Sequence, residues 1–174
     1  SMARTDHQPV EACDIAEVVS ETVASARDLA PSDLHYRLSE DQTPIWAKAQ
    51  PGELRQVLLN LLNNAAEAMQ YKGDITVTLR EGVGKPKGID LMPAGEPPFA
   101  CISIGDEGPG MEPAVRQRIF EPFFTTKAIG RGTGLGLPVV QGLVIGWGGV
   151  VSVDTTPGKG TTFHVWIPQP NVTN

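Results

Sequence analysis

Four glycines crowd into residues 130–136, and an apolar run, LPVVQGLVIGW, starts directly behind them. Glycine inside a helix costs about 1 kcal/mol relative to alanine. Regular helix therefore cannot run through this stretch, and one is expected to begin at its end. The first N–H groups of such a helix are unpaired and carry positive partial charge, a setting that suits a polyphosphate. The segment has no GxxxxGK[ST] and no GxGxxG behind a strand, so it is neither a Walker loop nor a dinucleotide-binding turn. Lys127 and Arg131 lie in the same stretch as candidate charge partners. A mobile linker would account for the glycines, but not for the lysine or the apolar run.

The remaining composition bounds the answer. The chain has 174 residues, 40% of them hydrophobic and 20% charged, which suits one soluble globular domain with a real core. Its formal net charge of −6 argues against nucleic acid as a partner. No apolar run approaches the roughly 20 residues that span a bilayer, so no direct membrane contact is expected of this domain. Cys13 and Cys101 lack metal-ligand spacing and read as free thiols of a reducing, cytoplasmic setting. Ser1-Met2 looks like a remnant of tag removal. Residues 1–8 read as that remnant plus a linker, 9–170 as the domain, and 171–174 as a tail.

Helical spacing predicts helices over 14–29, capped by Asp14, and over 51–71, with Pro51 in the first turn. Shorter helices are expected over 113–120 and 137–147. Alternation predicts strands over 34–39, 44–47, 74–81, 99–106, 150–154 and 161–167, the last two joined by Pro157-Gly158-Lys159-Gly160. Residues 82–98 read as a long surface loop. Helices and strands mix without regular βαβ alternation. The fold class expected is α/β, a two-layer sandwich with one sheet covered on one face by about three helices.

Two further patterns carry chemistry. Along the second helix, Leu54, Val57, Leu58, Leu61, Leu62, Ala65 and Met69 form an apolar stripe, while Asn60, Asn64 and Glu67 share another face. Asparagine is a poor helix former. Asn63 reads as solvated surface; Asn60 and Asn64 can aim oxygen ligands at a cation such as Mg²⁺, which is commonly shared with substrate phosphates. The alternative is a plain polar face. Farther on, Gly105-Asp106-Glu107-Gly108-Pro109-Gly110-Met111 follows an apolar strand. The carboxylate of Asp106 is acceptor-only and suits an exocyclic amine such as that of adenine. Gly108 and Gly110 would let the backbone approach a flat ring. An ordinary Asp/Gly turn is the simpler reading of that stretch taken alone.

Together, QVLLNLLNNAAEAM, DEGPGM, RIFEPFFTTK and GRGTGLGLPVV, in this order and spacing, resemble the N, G1, F and G2 boxes of the catalytic ATP-binding domain of sensor histidine kinases. PGKGTTFHVWIP resembles the family's closing strand motif, and the likeness runs over about residues 9–168. FEPFFTTK with GTGLGL looks most like kinases found with PAS-type sensors, some of them hybrid kinases. The resemblance implies the Bergerat fold, with a mixed, mostly antiparallel sheet, and ATP with Mg²⁺ as ligands. It assigns Asn64 to Mg²⁺ and Asn60 to the phosphate region. Asp106 would take the adenine amine, with Thr161 behind it through water and Gly108, Gly110 and Met111 along the adenine wall. Thr126, Lys127, Arg131, Gly132, Thr133, Gly134, Leu135, Gly136 and Leu137 would wrap the phosphates, Lys127 reaching the terminal ones. Glu67 and Phe120 complete the nucleotide set, and Phe120, Phe123 and Phe124 would hinge and pack the lid, a plain core role for two of the three being the equal alternative.

Related ATPases of this fold carry a glutamate general base where Asn60 stands. An amide takes no proton at neutral pH, which fits a site presenting the γ-phosphate to another nucleophile instead of water. The resemblance implies a histidine on a separate helical dimerisation domain as acceptor, then an aspartate of a response regulator receiver domain. His7, His35 and His164 read as structural or surface residues, not as that acceptor. Alternatives are an anti-sigma-type serine kinase and a nucleotide-sensing module without transfer.

Overall fold

The computed structural model describes residues 10–39, 43–89, 91–125 and 136–171. Strand β1 (Cys13–Asp14) leads into helix α1 (Ile15–Leu29), and β2 (Leu34–Leu38) and β3 (Trp46–Ala47) follow. Helix α2 (Pro51–Ala68), β4 (Gly73–Val83) and β5 (Phe99–Asp106) form the middle of the chain. A single turn, α3 (Pro113–Arg116), precedes α4 (Gly136–Gly146), β6 (Val150–Thr156) and β7 (Gly160–Pro168).

Five strands make one sheet in the order β2-β4-β5-β7-β6. The β2–β4 pair is parallel and the other three pairs are antiparallel. Alternation along each strand sends Ile75, Val77, Ile102, Ile104, Phe163 and Val165 into a core. The stripes of α1 (Val19, Val23), α2 (Leu54, Leu58, Leu61) and α4 (Val140, Val144) close over it. The result is the expected two-layer sandwich, one sheet face covered by three helices. Among the described residues, no helix is long and apolar enough to cross a membrane.

Local chemistry sets the element ends. Asp14 caps α1 by accepting from the N–H groups of Ala16 and Glu17, and the same oxygen takes Ile45 N–H at 3.0 Å. Helix α2 stops at Ala68, short of the expected residue 71. Gln70 and Tyr71 turn left-handed (φ 54° and 61°), and their N–H groups bond Glu67 and Ala66 carbonyls, the Schellman pattern. The expected strand over 44–47 shrinks to β3, which pairs with β1 and not with the main sheet. The expected helix over 113–120 is one turn, and β4 runs two residues past its expected end. The loop between β4 and β5 is tied down: Gly95 N–H donates to the Gly148 carbonyl at 2.8 Å, and Pro86 and Pro93 are buried.

Trp147 is buried and donates its indole N–H to Glu53 Oε1 at 2.8 Å, fastening the end of α4 to the start of α2. Glu53→Ala leaves the indole in place and removes its acceptor. We expect a loss of about 1 kcal/mol, read as a lower urea midpoint at constant slope; an unchanged midpoint would refute the tether.

Cys13 and Cys101 are free thiols, both pushed up in pKa chiefly by burial. His164 is held on the open sheet face, with Nδ1 at 2.7 Å from Ser103 Oγ and Nε2 at 2.8 Å from Asp154 Oδ2. Both ring nitrogens are thus engaged by side chains of the same sheet. His35 lies exposed on β2.

Candidate functional site

Helix α2 carries both ends of the candidate site. Its polar face presents Asn60, Asn64 and Glu67, all half-buried, while Asn63 is exposed. The Asn60 side-chain N–H donates back to the Gln56 carbonyl at 3.0 Å, which satisfies an amide placed in mid-helix. The carbonyl oxygen of the same amide faces Gly136, the first residue of α4. A β-carbon at Gly136 would stand 3.3 Å from it. The end of the glycine-rich segment therefore lies against the asparagine face, the juxtaposition a phosphate site needs.

Eight residues on, about 12 Å along the axis at 1.5 Å per residue, the end of α2 meets the acidic turn. A β-carbon at Gly108 would lie 3.1 Å from Ala68 and 3.0 Å from Asp106 Oδ1. Glu107 N–H points at Met69 Sδ at 3.3 Å, and Glu107 Oε1 accepts from Asp74 N–H at 3.2 Å. These contacts fix the turn to the helix.

Asp106 ends β5. Its Oδ1 accepts from Gly108 N–H at 2.8 Å and Thr161 N–H at 3.3 Å. The second carboxylate oxygen has no hydrogen-bond partner among the described residues. Burial raises the Asp106 pKa above the usual carboxylate range, and the two backbone N–H bonds offset part of that rise.

Thr161 is buried beside Asp106, and its hydroxyl lies 2.8 Å from that of Thr155. Met111 is half-buried against the core, its N–H donating to Thr155 Oγ1 at 2.9 Å. Gly110 faces the Thr156 carbonyl and Gly160 the Asp106 carbonyl, each so closely that a β-carbon would overlap it. The β6–β7 hairpin thus grips the acidic turn. The sequence reading passed over Thr155 and Gly160. The signal was available in the turn 157–160, which sets residue 155 opposite 161.

Phe120 and Phe124 pack on the core edge, with the Arg118 guanidinium 4.4 Å from the centre of the Phe124 ring. Phe123 is 75% exposed and left-handed, φ 69°. Leu137 is half-buried against the core. Thr126, Lys127, Arg131, Gly132, Thr133, Gly134 and Leu135 lie outside the described residues. The structure brings together Asn60 with Gly136 at one end, and Asp106, Gly108, Gly110, Met111 and Thr161 at the other.

Residues 49–171 match the family described as histidine kinase-, DNA gyrase B-, and HSP90-like ATPase. The sensor kinase CckA of Brucella abortus (strain 2308) is 33% identical over 160 residues, 91% of this chain and 17% of CckA. The solved structure of the mycobacterial sensor histidine kinase MprB has TM-score 0.71 at 30% identity, covering 93% of this chain and 99% of that one. Full-length ShkA, solved in complex with AMPPNP, has TM-score 0.68 at 28% identity, covering all of this chain and 33% of that one. The chain thus spans a third or less of the curated relatives it matches first. By the family match over residues 49–171 and the likeness to MprB over nearly the whole of both chains, the chain belongs to the histidine kinase-, DNA gyrase B-, and HSP90-like ATPase family.

Proposed function

We propose that this chain is the catalytic ATP-binding domain, spanning about 9–170, of a two-component sensor histidine kinase. It binds Mg-ATP and presents the γ-phosphate to a histidine on a separate helical dimerisation domain, from which the phosphoryl group passes to a response regulator aspartate. The observation that carries this reading is the placement along α2 of Asn60 against Gly136 at one end and of the Asp106 turn at the other, beside Ala68. An anionic tail fits the first end and an amine-bearing ring the second.

The roles follow from donor chemistry. Asp106 accepts from the adenine amine, and Gly108 and Gly110 belong to the turn beside the base. Asn64 offers a hard oxygen to Mg²⁺, with Glu67 on the same helix face. When bound, the ion neutralises phosphate charge. Asn60 sits where Gly136 leaves room, and its amide cannot activate water by taking a proton. Lys127, Arg131 and the glycines 132, 134 and 136 supply cations and bare N–H groups for the phosphates. Full-length ShkA holding AMPPNP supports an ATP-shaped site.

The test is calorimetric titration with a non-hydrolysable ATP analogue, with and without Mg²⁺, and with the GTP analogue as control. Tight binding of the adenine compound, strengthened by Mg²⁺, is expected. Equal affinity for both bases would overturn the adenine assignment. Transfer is checked by incubating the chain and labelled ATP with the helical domain of its own full-length protein and looking for acid-labile phosphohistidine.

Asn64→Ala should shrink the Mg²⁺-dependent gain in nucleotide affinity from about tenfold to less than about twofold, because one oxygen ligand is lost while the base end is untouched. An unchanged Mg²⁺ response would remove Asn64 from the metal site.

A further inference from the structure

The sheet face turned away from the helices carries an open cleft of about 320 Å³, lined by Thr76, Thr78 and Arg80 of β4, Ser103 of β5, and Thr162 and His164 of β7. Strand alternation sets these side chains opposite the core residues Ile75, Val77, Ile104, Phe163 and Val165. Cross-strand register places Thr78, Ser103 and His164 in one row. Hydroxyls, a guanidinium and an imidazole line the cleft and no carboxylate does, in a chain of net charge −6. The Arg80 guanidinium stands 5.7 Å from the centre of the Trp166 ring and makes no ion pair among the described residues. A guanidinium fixed on an aromatic face with donors to spare suits an oxyanion.

Proton positions at Ser103 follow from Asp154. An ionised carboxylate only accepts, so His164 Nε2, 2.8 Å from Asp154 Oδ2, carries a proton in both charge states of the ring. In the neutral ring Nδ1 is then an acceptor, and the Ser103 hydroxyl, 2.7 Å away, donates to it. In the protonated ring Nδ1 donates to Ser103 Oγ instead. The Ser103 proton is then released toward the cleft or toward Cys101 Sγ at 3.7 Å. An anion in the cleft therefore gains a donor and a positive charge when His164 takes a proton from solvent. The other titratable or charged groups around His164 are Asp154 of β6, Cys101 of β5 and Arg80 of β4, while His35 and the Arg37–Asp74 pair lie at the β2 edge of the face.

We propose that this cleft binds a small free oxyanion of the sulfate or phosphate type, held by the Arg80 guanidinium and the hydroxyls of Thr78 and Ser103, and that binding draws a proton from solvent onto His164. The cleft lies on the opposite side of the sheet from the helices and from Asn60 and Gly136, so the inference stands apart from the nucleotide reading.

The experiment follows the His164 imidazole and the Thr78 and Ser103 amides by NMR while the wild-type chain is titrated with sulfate at about pH 6 and about pH 8, a range in which imidazole titrates and sulfate does not. Chloride at matched ionic strength is the control. Saturable shifts are expected at these residues, with affinity at least about fivefold higher at the lower pH, and saturating sulfate should move the midpoint of the His164 titration upward. Arg80 is exposed, and Arg80→Gln should weaken sulfate about tenfold. The absence of saturable shifts on this face, equal shifts with chloride, or an unchanged affinity in Arg80→Gln overturns the site. Shifts confined to α2 and the glycine-rich segment overturn it too, since they place the anion at the candidate phosphate end. Equal affinity at both pH values, or a His164 midpoint that sulfate leaves unmoved, overturns the proton coupling.

Discussion

Asp106→Asn is expected to lower affinity for adenine nucleotides by about 3 kcal/mol, roughly a hundredfold, while leaving the fold as stable as before or slightly more stable. The asparagine carbonyl can still accept from Gly108 N–H and Thr161 N–H, so the turn keeps its anchors. What changes is the outer atom. An N–H₂ replaces the open oxygen, and a donor then faces the adenine amine. On the stability side, burial raises the Asp106 pKa, so the folded chain holds this proton to higher pH than the unfolded chain does. The stabilisation from that proton is complete below the unfolded pKa and is lost as pH rises through the folded one. At neutral pH the half-buried carboxylate is therefore a burden that asparagine lacks, and keeping it for the site at the expense of stability is the usual trade of stability for function. Nucleotide binding should also fade on acidification sooner than an ordinary aspartate would allow, because protonation removes the acceptor. Calorimetry with ADP and urea melts at two pH values check both arms. A variant that loses stability in step with binding would make Asp106 a structural residue.

The apolar stripe of α2 and the alternation of β4 and β5 were legible because each repeats over many residues with one period. The end of α2 was not, because its Schellman turn puts Gln70 and Tyr71 where glycine is usual. The small β1–β3 sheet was hidden by its length, since two-residue strands leave no period to read. At the site, Asp106 stood out as an acid at a strand end followed by glycines. Thr155 did not, because threonine is ordinary in a strand and its role comes from cross-strand register. Gly110 was read for closeness to a ligand. The structure adds a closer neighbour within the protein, the Thr156 carbonyl.

That neighbour makes Gly110→Ala the substitution with the largest expected effect on stability, a loss of about 3 kcal/mol or more. Gly110 sits at φ 71°, a region that L side chains avoid, and an added β-carbon would overlap the backbone carbonyl of Thr156. No flexible side chain can swing aside there. Pro109 and Met111, on either side, are bonded to the same hairpin through Gly158 N–H at 2.6 Å and Thr155 Oγ1 at 2.9 Å. Relief of the overlap must therefore pull the acidic turn from the β6–β7 hairpin and break the row of Asp106, Thr161 and Thr155. Gly158→Ala is the control. Gly158 is also left-handed, φ 79°, but a β-carbon there meets nothing within 4 Å. It should lose only the conformational part, about 1 kcal/mol. Urea denaturation of the two variants separates strain from overlap. If Gly110→Ala were no worse than Gly158→Ala, the hairpin would not grip the turn tightly. If Gly110→Ala folds, its ADP affinity should fall while triphosphate affinity holds, since the phosphate end at Asn60 and Gly136 lies about 12 Å away along α2.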